Sequence, residues 1–213
     1  MIKNGTTFYI LRHGETEWNV ARRMQGHKDS PLTEAGIQQA LAVADVLKDI
    51  EFSAIFSSDL LRAHRTAAIV ALERDIQIKT TELLRERSFG RFEGWEVEKY
   101  REAVKEELFE VEKLSDAERM THKQSDDIES DEETSTRLLQ FLREVAVAYV
   151  GKNVLIASHG GVIRAFLLRL GWGTYQELSH NAVRNTAFVK CLSDGVEFEI
   201  LDTHNVVKAD LKK

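Results

Sequence analysis

Two apolar runs in this chain end alike. Thr7–Leu11 leads into Arg12-His13-Gly14-Glu15, and Val154–Ser158 leads into His159-Gly160-Gly161. Each run is short and apolar, as a strand in a parallel sheet is. Glycine after the histidine lets the backbone turn tightly. Between them the chain alternates. Thr33–Ile50 carries Ile37, Ala40, Leu41, Ala44 and Leu47 at helical spacing, with Thr33 as a hydroxyl cap and Pro31, the one proline, in the turn before it. Ala54–Ser57 reads as a strand, Leu60–Leu72 as its helix and Ile76–Lys79 as an edge strand. A helix through Leu170 follows His159, and Ala187–Leu192 and Val196–Leu201 read as two strands across an Asp194-Gly195 turn. Such alternation predicts an α/β fold with a mostly parallel sheet.

The chain has 213 residues, 43% of them hydrophobic, which suits one compact domain. One stretch departs from the rest. Residues 93–133 hold 16 acidic against 6 basic side chains, while the remainder is slightly basic. Trp95–Leu114 has helical character and Ser115–Ser130 reads as polar loop, so the stretch is expected to be an insertion, either a solvated surface or a lid over a pocket. A net charge of −6 argues against nucleic acid as a partner. No apolar stretch is long enough to span a bilayer, and Met1–Gly5 lacks the pattern of a signal peptide, so no membrane role and a cytoplasmic location are expected. The single cysteine, Cys191, lies in an apolar run and is expected to be a buried structural thiol.

Four clusters carry chemistry. Arg12-His13-Gly14-Glu15 stands at a strand end, where ligands of α/β sheets bind. Arg62 lies in the first turn of the helix after Ser57-Ser58-Asp59; read alone, it is a surface arginine paired with Asp59. Glu86 sits between Arg85 and Arg87, where an exposed salt bridge is the plain reading and a proton donor the sharper one. His159 repeats the strand-end arrangement of His13. Together they suit phosphoryl transfer, which needs positioned cations around the phosphate oxygens and a nucleophile. Arg12, Arg62 and His159 can supply the charge, His13 the nucleophile and Glu86 the proton. The seven histidines show no metal-binding spacing, and nucleotide loops and a GxSxG elbow are absent from the sequence, so no metal or cofactor is expected.

From about Phe8 to Leu192 the chain resembles the histidine phosphatase superfamily, the phosphoglycerate-mutase-like group. The resemblance rests on Leu11–Asn19, Gln25-Gly26-His27, Pro31–Gly36, Ser57-Ser58, Arg62-Ala63, Glu86 with Phe89-Gly90 and Glu93-Gly94, and Ser158–Gly161. It implies a three-layer α/β/α fold of about six strands, one antiparallel, with a helical lid insertion. It also implies that His13 is phosphorylated, that Arg12, Arg62 and His159 form the phosphate pocket, and that Glu86 donates and accepts the proton. Asn19, Gln25, Gly26 and the N–H of Gly160 match positions that contact phosphate or substrate. The implied partner is a small anionic phosphomonoester. Oligomeric state is left open, with a homodimer as the option carried forward.

The family divides into mutases and phosphatases. Mutases that use 2,3-bisphosphoglycerate resemble one another in an Arg-Arg-Ser segment followed by prolines, in a basic residue soon after the Glu motif, and in His-Gly-Asn at the second histidine. This chain has Trp95-Glu96-Val97-Glu98 after Gly94 and reads His159-Gly160-Gly161. The expectation is therefore a metal-independent phosphomonoester hydrolase. A phosphoglycerate mutase is the alternative, kept open by Lys99, Arg101 and Lys105. A non-catalytic phospholigand-binding module is disfavoured because no catalytic residue is missing. The substrate stays undetermined.

Overall fold

The structure, a computed structural model, describes residues 2–72 and 74–210. Its elements in chain order are β1 (Thr6–Arg12), α1 (Glu17–Val20), α2 (Glu34–Val46), β2 (Phe52–Ser58), α3 (Leu61–Val70), β3 (Ile78–Thr81), α4 (Val97–Ala103), α5 (Lys105–Val111), α6 (Asp116–Thr121), α7 (Asp131–Ala148), β4 (Asn153–Ser158), α8 (Gly160–Arg169), β5 (Val183–Ser193) and β6 (Phe198–Val206). The strands form one six-stranded sheet in the order β3-β2-β4-β1-β5-β6. The pairs β3/β2, β2/β4 and β4/β1 are parallel, and β5 runs antiparallel to both β1 and β6. The expected α/β class, six strands with one reversed, is what the chain adopts.

Alternation of side chains across the pleat builds the three layers. Phe8 and Ile10 of β1, with Val154 and Ile156 of β4, face a core completed by Leu138 and Leu142 of α7 and Phe166 of α8. Tyr9, Leu11, Leu155 and Ala157 face the other way, onto Val43 of α2 and Ala67 and Val70 of α3. Both faces of β1 and β4 are thus covered, which is why their sequences read as unbroken apolar runs. Cys191 is buried in the first core, and burial pushes its thiol up to about 12.

Thr33 caps α2 as expected, its hydroxyl accepting from the Gly36 N–H at 2.9 Å. The acidic stretch differs from expectation in two places. Its second half holds a short helix, α6, opened by a capping box between Ser115 and Glu118. Its last three residues are the first turn of α7, an 18-residue helix that the sequence reading leaves unassigned. The signal for α7 was present: Ser130 and Glu133 form a capping box ahead of Leu138, Leu142 and Val145. Phe92, Val104 and Ile128 make a separate small core within this region.

Candidate active site

Register brings the two histidines together. In the parallel pair β1/β4, Arg12 lies opposite Ser158, and the His13 N–H continues the ladder onto the Ser158 carbonyl at 3.1 Å. His13 and His159 therefore leave the same end of adjacent strands. Their rings meet edge to face with centroids 5.2 Å apart, and both are buried. The His13 Nδ1 lies 2.7 Å from the Gly14 carbonyl oxygen. A carbonyl only accepts, so Nδ1 carries the proton and the lone pair is on Nε2. Burial first, then Arg62 and Arg12, hold His13 well below the ordinary imidazole range. The same causes, with His13 itself adding, hold His159 down. Gly14 is where no side chain fits, since a Cβ there would stand 2.4 Å from the Gly36 carbonyl oxygen.

Arg62 is fixed by the loop that precedes α2. Its guanidinium donates to the carbonyls of Lys28 and Gly26, each at 2.8 Å, and pairs with Asp29 at 3.0 Å. Asp29 also accepts from the Leu61 N–H, so one carboxylate caps α3 and orients its arginine. Asp59, the partner that Arg62 read alone would take, instead pairs with Arg85. Arg12 donates to the Val183 carbonyl at 2.6 Å, and burial, opposed by Glu86, brings its guanidinium down to about 10. The buried Nε atoms of Arg12 and Arg62 and both ring nitrogens of His159 have no hydrogen-bond partner among the described residues. Buried donors without partners are costly, and an anion satisfies them.

Glu86 pairs with neither flanking arginine, since Arg85 holds Asp59 and Arg87 holds Asp131. Its carboxylate instead accepts from the N–H groups of Arg87 at 2.8 Å and of Gly161 and Val162, each at 3.1 Å. His159 in the N-cap position makes no side-chain cap, so Glu86 caps α8 from another part of the chain. The approach depends on Gly161, where a Cβ would lie 2.5 Å from Oε1 of Glu86. Arg137 and His27 hold the Glu86 carbonyl, both at 2.9 Å.

The remaining predicted residues gather around this centre. Gly160 packs against Arg12, with a Cβ there 3.1 Å from Nε. Gly26 has φ +56, and its carbonyl receives Arg62. Gln25 is buried, and its Oε1 has no partner among the described residues. Asn19 closes the capping box of α1 and accepts from Asn185 at 3.3 Å, and Asn185 also donates to the His13 carbonyl at 3.2 Å. Asp29, Asn185 and Arg137 were missed by sequence reasoning. Asn185 had no local signal, whereas Asp29 lay two residues beyond a motif already singled out. Among the described residues no three His, Cys, Asp or Glu side chains are grouped as a metal site requires, and no helix is long and apolar enough to cross a membrane.

Residues 8–206 match the family model for the histidine phosphatase superfamily (branch 1). The chain is 30% identical to the Bacillus subtilis protein described as the uncharacterized phosphatase PhoE, over 91% of this chain and 89% of that one. The Bacillus stearothermophilus protein YhfR superposes with TM-score 0.78 at 32% identity, covering 92% of this chain and 95% of the other. The phosphoglycerate mutase from Bacillus anthracis superposes with TM-score 0.79 at 29% identity, covering 95% and 94%. The chain belongs to the histidine phosphatase superfamily, as an enzyme of phosphatase or mutase type.

Proposed function

We propose that this member of the histidine phosphatase superfamily hydrolyses phosphomonoesters through a phosphohistidine on His13. The observation that carries the reading is the Nδ1–Gly14 bond, which leaves a lone pair on Nε2 of a buried, neutral imidazole beside unspent donors of Arg12, Arg62 and His159. Nε2 attacks phosphorus as the ester P–O bond breaks. The donors of Arg12, Arg62 and His159 take the charge on the equatorial oxygens, with Asn19, Gln25, Gly26 and the first free N–H of α8, at Gly160, completing the cradle. Glu86 gives its proton to the leaving alkoxide. In the second half Glu86 takes a proton from water, water oxygen bonds to phosphorus, and the N–P bond breaks to release inorganic phosphate and the free imidazole. No step calls on a metal.

The 93–133 segment is assigned the role of a lid within a single domain. Its base is tied to the loop ahead of Gln25 by the Met24 N–H on the Trp95 carbonyl and the Val97 N–H on the Arg22 carbonyl, each 2.8 Å. Phosphate release from phosphomonoesters, measured with chelator present, tests the reading. Activity that survives chelator and disappears in His13→Ala is expected; loss with chelator, or normal turnover in His13→Ala, overturns it. The likeness to the Bacillus anthracis mutase supports a second reading, bisphosphate-primed interconversion of 3- and 2-phosphoglycerate. Interconversion faster than phosphate release would favour that reading.

A further inference from the structure

Glu93 stands in the motif Glu93-Gly94, and none of the roles above uses it. It is buried, and its carboxylate accepts three backbone N–H groups: His27 at 2.9 Å and Phe89 at 3.1 Å on Oε1, and Lys28 at 3.2 Å on Oε2. Lys28 also donates its ammonium to the Glu93 carbonyl at 2.8 Å. A buried carboxylate is costly unless its oxygens are met, and N–H groups converging from two segments meet them.

The far side of those peptides is where Arg62 sits. A trans peptide points its C=O and its N–H in opposite directions. The unit joining Gly26 to His27 gives its oxygen to Arg62 at 2.8 Å and its N–H to Glu93. One peptide plane is thus held between a guanidinium and a carboxylate, each strengthening the bond to the other. Lys28 repeats the arrangement within one residue, its carbonyl on Arg62 at 2.8 Å and its N–H on Glu93. Residues 25–29 lie in no helix or strand, so these contacts decide where the loop's carbonyls stand. Gly26, at φ +56, keeps the space that Oε1 of Glu93 fills, since a Cβ there would collide with it. Burial lowers the Arg62 guanidinium, and Asp29, Glu86 and Glu93 oppose this. His27 carries the same loop to the proton donor. A carbonyl only accepts, so its Nε2 donates to the Glu86 carbonyl, at 2.9 Å.

We infer that Glu93 is a positioning residue that sets both ends of the reaction through this one loop. It places Arg62 against the phosphate by way of the Gly26 and Lys28 carbonyls, and Glu86 against the leaving oxygen by way of His27. This rests on the proposed roles of Arg62 and Glu86. Without the carboxylate the loop loses the acceptor behind its peptides and turns its carbonyls away from Arg62.

Two quantities test this, and unfolded molecules affect neither. The inhibition constant of inorganic phosphate reads the Arg62 end. The kcat/KM of p-nitrophenyl phosphate divided by that of an alkyl phosphate reads the Glu86 end, because the alkyl ester depends far more on a proton donor. Arg62→Lys and Glu86→Gln are the references, expected to raise the first and the second respectively. Glu93→Gln keeps the shape of the side chain but offers one acceptor oxygen in place of two. It is expected to raise the phosphate constant about tenfold and the ester ratio about fivefold, both in the same variant. Glu93→Asp draws the carboxylate back by one methylene and gives the same reading if the glutamine variant does not fold. His27→Ala cuts only the second path, so the ester ratio is expected to rise while the phosphate constant stays. A residue that merely ties loops together lowers the amount of active enzyme and leaves both quantities in place. Variants of Glu93 that move neither quantity or only one, or an ester ratio unmoved in His27→Ala, overturn the inference. References that leave their own quantities unmoved overturn the reading of the site itself, and the inference with it.

Discussion

The two ends of the site are built on different foundations. At the phosphate end, Arg12, His13 and His159 grow directly from β1 and β4, and Arg62 is gripped mainly by backbone carbonyls. Beyond Glu86, Arg87 and Arg164 meet the Asp131 carboxylate and Arg119 lies over the Tyr175 ring, contacts made mostly between side chains, and the segment beside them rests on the small core of Phe92, Val104 and Ile128. Backbone anchoring on a doubly covered sheet fixes geometry cheaply and holds it through much surface change. Side-chain anchoring on short helices can be rewired by single substitutions. The end built on β1 and β4 is thus the more firmly anchored of the two.

Substitutions that separate the two ends sharpen this contrast. The largest effect is expected from His13→Ala, which removes the bond-forming atom. Turnover should fall by more than about a thousandfold, and acid-labile, base-stable phosphoenzyme should vanish from labelling gels. Retained label would move the nucleophile elsewhere. Next, Arg62→Lys keeps the charge but loses the fork that spans Gly26, Lys28 and Asp29. We expect about a hundredfold loss in kcat/KM, equal for all esters, because only the phosphate is touched. A loss that varied with the alcohol would blur the division between the ends.

Gly161→Ala probes the seam. The added Cβ displaces the Glu86 carboxylate from α8. Hydrolysis of alkyl phosphates should drop by about ten- to a hundredfold, while p-nitrophenyl phosphate, whose leaving group needs little protonation, should lose much less. Equal losses on both esters would mean that Glu86 is not the donor. The smallest effect concerns pH and stability. His13 and His159 stay neutral in the fold below the pH at which they protonate in the unfolded chain, near 6.5. Below about pH 6.5 the unfolded chain takes up protons that the folded one refuses. Stability should be full above that pH and fall as pH drops, by about 1.4 kcal/mol per pH unit for each group until its folded pKa is reached. In thermal melts from pH 7 to 5, His159→Asn should flatten the slope; an unchanged slope would place the titration elsewhere.

Much of the catalytic end could be read from residue order because each element there announces itself locally. An apolar run, a histidine and a glycine need only a few neighbouring residues to be seen. The same locality misled where partners are distant. Residue order alone offers Asp59 to Arg62 and the flanking arginines to Glu86, whereas Arg62 binds Asp29 and Glu86 caps α8. Helix α7 escaped because its first turn is as acidic as the stretch before it, which masked the apolar stripe that follows.

Sequence alone determined the strand–helix alternation and the two strand-end histidines. These follow from short-range patterning, which the pleat and the helix period translate directly into faces. Only the tertiary structure decided that His13 is protonated on Nδ1, that Gly161 admits Glu86 to the end of α8, and that Arg87 and Arg164 converge on Asp131. Each of those depends on groups far apart in the chain meeting within hydrogen-bond or van der Waals distance, and such meetings are set by register and packing.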